Sequence, residues 1–340
     1  MTTKAREGDL IEDKNQVIFD VKGLIHPSDR IVAFPRFIPD FSGNRERKSI
    51  LYKKIYALSE RFRFIEQNLP EYLIQDNVFG ERLCEVPVNN VKRHYRPVEK
   101  LEKLRQNSTG LEPLEARALQ FAEILRDYAG ISWRAIGISG SILVGLHSES
   151  SDIDPIAYGS EDCWKVHSAL TELMKKEDSP FRAYNRKGLE VLFDFRSKDT
   201  SVEIKDFVRT ESRKAMQGKF MGIDFFVRFV KDWSESDEKY GDVQYRNMGY
   251  ARIKATVVEN SESIFTPCKY DVEDVITIEG VKIQSIREIA SFRGRFCEQA
   301  RKDEVVVAQG KIEHVVDRRK KREHFRLLLG NNPSDFMILA

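Results

Sequence analysis

Cysteine is scarce. Cys84, Cys163, Cys268 and Cys297 are the four in 340 residues, and no two form a CxxC pair. That spacing argues against a disulfide framework or a zinc site, and predicts reduced, buried thiols. Histidine is also thin, six residues scattered along the chain, so no histidine-based metal site is expected. The sequence has no run of about 18 apolar residues, which argues against a membrane-spanning helix. The N-terminal stretch MTTKAREGDLIEDKNQ has no apolar signal core. Both features point to the cytoplasm and to partners other than a membrane. The net charge is only +2, too small for a whole-protein field that would announce a polyanion partner.

Against these absences stands one dense stretch, residues 140–158, GSILVGLHSESSDIDPIAY. Gly140 and Ser141 make a tight turn, Gly145 follows, and a hydroxyl-rich loop leads to Asp152-Ile153-Asp154. On a strand alternate residues share a face, so Asp152 and Asp154 point together and Ile153 points into a core. Two adjacent carboxylates repel each other unless a cation sits with them. A hard divalent ion carrying a phosphate is the natural occupant. Pro155 lacks a ladder donor and makes this strand less regular.

Around that stretch the chain reads as three segments. Residues 1–105 alternate turn residues with apolar runs of strand length up to about residue 48. A helical period then covers 50–69 and ends at Pro70, a strand patch covers 81–88, and a short helix opens at Pro97. The polar run 106–110 is the boundary. Residues 106–232 give a helix from Leu114 to a stop at Gly130, a strand over 133–138, the Gly-Ser turn, the acidic strand, and a helix opened by Ser160. A helical pattern over 187–217 includes Thr200 and Glu203 as a capping box. The apolar strand 222–230 follows, with Asp224, Phe226 and Arg228 on one face. Residues 233–340 alternate short strands with Gly and Pro turns, predicting a small β-barrel or sandwich, with a basic run at 318–322. The SFRGRF segment at 291–296 interleaves arginine with phenylalanine. The fold class is therefore α+β: a mixed-sheet core between an N-terminal α+β domain and a β-rich C-terminal domain.

Gly140, Ser141, Gly145, Ser151, Asp152 and Asp154, as a spaced set, resemble the nucleotidyltransferase superfamily of the DNA polymerase β type. The resemblance covers the middle third of the chain. It implies a mixed sheet with helices packed on one side, and transfer of a nucleoside monophosphate from an NTP to a hydroxyl acceptor with release of pyrophosphate. It also implies two Mg²⁺ ions, with Mn²⁺ as a substitute. Asp152 and Asp154 would hold metal, while Gly140, Ser141, Gly145 and Ser151 would bind the nucleotide. A third carboxylate is required, and Asp224 is favoured over Asp194, because an acid within an apolar strand needs a positive partner. Glu203 reads better as a cap, and Asp206 lies in helical context. Many relatives carry an arginine just before the second glycine, where this chain has Val144; Arg228 and Lys219 are the replacement candidates, with Arg213 and Lys214 behind them. Large flanking segments suggest RNA or tRNA as acceptor. The alternative is a nucleotide- or nucleic-acid-binding protein that kept the fold and lost turnover.

Overall fold

The structure is a computed structural model and describes residues 4–197, 201–283 and 285–340. The chain divides into two compact units. One comprises Met1–Ile74, Leu83–Ala183 and Ala215–Asp237; the other comprises Gln75–Arg82, Tyr184–Lys214 and Glu238–Ala340. The boundary expected at 105/106 does not separate two bodies. The N-terminal segment and the acidic segment form one unit, while the helical stretch 184–214 groups with the C-terminal strands.

The first unit opens with strands β1 (Leu10–Asp13), β2 (Ile18–Val21), β3 (Arg30–Pro39), β4 (Arg45–Arg47) and β5 (Ile50–Lys54), followed by helix α1 (Leu58–Asn68). The helical period expected from residue 50 therefore starts eight residues late. Tyr52 is fully buried and pairs with Pro39 across the β3–β5 ladder, so tertiary pairing overrides the local period. Strands β6 (Leu73–Asp76), β7 (Glu81–Pro87) and β8 (Val91–Tyr95) come next. The sheet runs β4-β5-β3-β2-β1-β8, with β7 joined to β3.

Helix α2 (Pro97–Gln106) begins on proline at its first turn, where the missing N–H costs nothing. Helix α3 (Pro113–Ala129) has a Glu112/Glu115 capping box and stops at Gly130, which adopts φ +64°, the left-handed conformation glycine tolerates. Strand β9 (Ile136–Ile138), the single turn α4 (Gly140–Leu143) and strand β10 (Pro155–Tyr158) carry the motif stretch, and helix α5 (Ser160–Leu173) closes it. Gly137 on β9 lies against the Pro97 backbone at the head of α2, where any side chain would collide. This packing is why no domain boundary falls between them.

Strand β11 (Phe181–Arg182) precedes two helices of the second unit, α6 (Arg186–Arg196) and α7 (Ile204–Glu211). Thr200 of the expected capping box lies outside the described residues; Glu203 stands at the N-cap of α7 without a side-chain cap bond. Strands β12 (Gln217–Phe220), β13 (Ile223–Phe226) and β14 (Arg228–Val230) return to the first unit. The expected continuous strand 222–230 is thus broken at Val227. Its halves serve different sheets, β11-β12-β13 and β14-β10-β9. In the latter, β10 is parallel to β14 and antiparallel to β9, a mixed sheet.

The second unit continues with β15 (Val243–Glu259), β16 (Cys268–Gly280), β17 (Ile286–Ser291), β18 (Val305–Asp317), β19 (Arg322–Leu329) and β20 (Phe336–Leu339). Their order is β15-β16-β17-β19-β18-β20, and β15 also pairs with β18, so the sheet closes as a barrel. Arg293 and Arg295 fall in a loop and a 3₁₀ turn, outside any strand. Arg318 to Lys321 of the basic run form the β18–β19 connection and Arg322 opens β19. The four cysteines are free and buried, as expected. Among the described residues no helix is long and apolar enough to cross a membrane.

Candidate functional site

The Gly-Ser turn and the acid pair are distant enough in sequence to be unrelated, yet one short strand pair joins them. Pro155 opens β10 opposite Ile138 of β9. Opening a strand is a position where proline's missing donor is tolerated. Asp152 and Asp154 therefore sit just ahead of the ladder. Ser139 donates its backbone N–H to the Asp154 carbonyl at 2.8 Å, and a Cβ on Gly140 would collide with the Asp154 carboxylate. Gly140 also has φ +63°. Both space and backbone conformation require glycine there.

Ile153 faces the core as expected and is fully buried. It forms a parallel bridge to Phe225 and donates to the Asp224 carbonyl at 2.9 Å. Phe225 belongs to an edge-to-face cluster with Phe121 of α3, whose ring also meets Phe181 and Phe220 at 4.9–5.2 Å. Such pairs add about 0.5–1.5 kcal/mol beyond area burial. This core turns Asp152 and Asp154 to the opposite face. Burial and the neighbouring Asp152 push the Asp154 carboxyl up to about 7, against the opposing charges of Lys54, Arg228 and Arg36.

Ser141 is 1% exposed and its hydroxyl has no hydrogen-bond partner among the described residues. A buried hydroxyl left unmade costs about 1–3 kcal/mol, which fits a group waiting for a ligand. Gly145 has φ +67° and open space around it. Ser151 is buried and accepts from the Ser148 N–H at 3.0 Å and from Arg45 at 3.1 Å.

The cations that sequence reasoning sought near Gly145 come from the N-terminal sheet. Val144 is 3% exposed and packs in a cluster with Leu10, Phe37, Tyr52, Leu143 and Leu146. An arginine at 144 would have to enter that core. Arg47 of β4 donates instead to the Val144 carbonyl at 3.2 Å and to Glu12 at 2.9 Å. Arg45 donates to the Leu146 carbonyl. Arg36 of β3 and Lys54 of β5 act on Asp154 and both lie over the Tyr56 ring, at 4.4 and 4.7 Å. Short-range sequence pattern gives no sign of this, because the four cations are spread over strands that meet the motif only through folding.

Asp224 is placed differently from the expectation. It shares the Asp152 and Asp154 side of the parallel pairing, but its side chain is 53% exposed and pairs with Lys219 at 2.9 Å across the β12–β13 ladder. The burial argument for a metal there does not hold. Lys219 is correspondingly tied to Asp224. Arg228 pairs with Glu7 at 3.0 Å and with Asp20 at 3.6 Å. Burial works to raise the Asp20 carboxyl, but Lys22, Arg228, Arg61 and Arg36 hold it well below the usual range. Asp194 is an exposed residue of α6 in the second unit. Arg213 and Lys214 also belong to the second unit, paired with Glu304 at 2.7 Å and Glu211 at 2.6 Å. Among the described residues, no three His, Cys, Asp or Glu side chains gather so as to hold a metal ion. The paired aspartates alone supply a donor set suited to Mg²⁺, which is commonly bound by one or two carboxylates plus substrate phosphates.

No family model and no solved structure matches the chain. It is similar to the uncharacterized protein MJ1086 of Methanocaldococcus jannaschii, 30% identical over 341 residues that span 98% of this chain and 97% of that one. The similarity runs through both compact units, and the chain belongs to the same family as that archaeal protein.

Proposed function

We propose that the protein is a Mg²⁺-dependent nucleotidyltransferase with a core of the DNA polymerase β type. One observation carries the reading. Gly140 lies against the Asp154 carboxylate, so the Gly-Ser turn meets the acid pair, and the next residue, Ser141, carries a buried hydroxyl with no hydrogen-bond partner among the described residues. The acceptor hydroxyl oxygen would form a bond to the α-phosphorus of an NTP while the α–β P–O bond breaks and pyrophosphate leaves. Mg²⁺, when bound, supplies charge neutralisation on the phosphate oxygens. Asp152 and Asp154 would hold it, and Ser141 would donate its hydroxyl to the phosphates. Lys54, Arg228 and Arg36 add positive charge that acts on Asp154. The acceptor proton goes to a carboxylate or to solvent. A hydroxyl on RNA or tRNA is the acceptor we favour.

Asp224, exposed and paired with Lys219, favours a second reading, nucleotide binding without turnover. Purified protein with Mg²⁺ and each labelled NTP separates the two. Label transferred to RNA, protein or a small acceptor supports the transferase. Binding without transfer supports the second reading, and neither binding nor transfer sinks both.

A further inference from the structure

The barrel of the second unit carries a surface that the acid pair does not use. Strand β18 pairs with β19 so that His314 stands opposite Phe325, and with β15 so that Arg246 stands opposite His314. These three side chains therefore form one stripe across three strands. Alternation sends their neighbours Glu313, Val315 and Arg326 inward, where all three are buried. The His314 and Phe325 rings stack at 4.9 Å with 27° between planes, and Glu323 holds the imidazole at 3.1 Å. Arg246 is exposed, as is Arg287 on the strand beside Phe325.

The stripe runs toward the β18–β19 turn, Arg318-Arg319-Lys320-Lys321-Arg322, all exposed. Arg318 donates to Gln244 at 2.9 Å, Arg319 faces Asp242 at 3.6 Å and Arg322 faces Asp317 at 3.8 Å. Lys320 and Lys321 have no acidic partner among the described residues. Five consecutive cations beside a stacked aromatic pair combine the two elements that hold a single-stranded nucleic acid, backbone charge and a base platform.

We propose that this outer face of the barrel binds single-stranded RNA. The turn would track phosphates and Phe325 with His314 would meet unstacked bases. A duplex keeps its bases stacked and would leave the aromatic pair unused. Gln244, two residues before Arg246 on β15, places an amide group along the stripe, suited to a ribose 2′-hydroxyl. The surface is independent of nucleotidyl transfer, so a chain that incorporates no nucleotide still tests it.

The test is fluorescence anisotropy of the full chain with a labelled single-stranded RNA of about 20 nucleotides, titrated between about 50 and 200 mM KCl. We expect affinity to fall steeply with salt. Replacing Lys320 and Lys321 together by Ala should make the log–log slope shallower by about 1.4, at about 0.7 per lost phosphate contact. Phe325→Leu keeps an apolar residue and should weaken binding about tenfold, within the range for one stacked base. Both substitutions are checked against an unchanged melting temperature. No binding at low salt, an unchanged slope in the lysine variant, or equal affinity for DNA of the same sequence would each overturn the assignment.

Discussion

Replacing Asp154 by Asn should stabilise the metal-free protein while destroying its proposed chemistry. The carboxyl rises from 3.8 to about 7 because burial and Asp152 disfavour its charge. The native state therefore keeps a proton that the unfolded chain has already released. Stability contributed by this group is full below about pH 4, falls as pH rises toward 7, and then levels off. At about 1.36 kcal/mol per pH unit, the span from 3.8 to about 7 sets a ceiling of about 4 kcal/mol. Asparagine cannot ionise and escapes that loss. Urea denaturation at pH 4, 6 and 8 without divalent ions would follow it. The variant should match wild type near pH 4 and exceed it by about 2–4 kcal/mol at pH 8. Added Mg²⁺ should recover wild type at pH 8 and leave the variant unmoved. Parallel pH curves for the two proteins would refute the reasoning.

Asp20 works in the opposite sense. Its folded pKa lies below 3.8, so it stabilises above about pH 4 and the benefit is lost as pH falls through the folded value; Asp20→Asn should cost about 1.5–3 kcal/mol at pH 7 by removing the charged partner of Lys22 at 2.7 Å, and much less at pH 2, by denaturation at the two pH values. Gly140→Ala meets both the Asp154 carboxylate and a backbone of φ +63°, and should lower the melting temperature and abolish nucleotide binding together. Val144→Arg should destabilise the protein by several kcal/mol because position 144 is core. Asp224→Ala should leave metal affinity within a factor of about two, since a surface pair such as Asp224–Lys219 contributes about 0–1 kcal/mol, and isothermal titration with Mn²⁺ reads it directly.

Local chemistry was legible where the signal was local. Pro97 marks the start of α2 and Gly130 the end of α3, because first-turn prolines and breakers act within one turn. Ile153 faces the core as alternation predicts, although Asp152 and Asp154 lie just ahead of β10 and not on it. The β-rich character of the C-terminal segment was legible, while its strands are longer than expected, Val243–Glu259, Cys268–Gly280 and Val305–Asp317. Residues 50–54 misled, since Leu51 and Ile55 fit a helical period while Tyr52 is claimed by the β3–β5 ladder. Asp224 misled for a related reason. Its neighbours are apolar, but a strand buries one side only, and the acid lies on the open side with Lys219 across from it. The cations Arg36, Arg45, Arg47 and Lys54 were illegible because they reach the motif through a sheet whose pairing no short window encodes.

The central claim is that Gly140, Ser141, Asp152 and Asp154 work as one nucleotidyl-transfer site. Its most direct measurement is incorporation of labelled nucleotide into total cellular RNA with Mg²⁺, comparing wild type with Asp152→Ala and Asp154→Asn. The account predicts label in RNA with wild type, loss of at least about a hundredfold in each variant, and release of pyrophosphate in step with incorporation. Incorporation that survives both substitutions, or wild-type protein that transfers none of the four nucleotides to any acceptor, would contradict it.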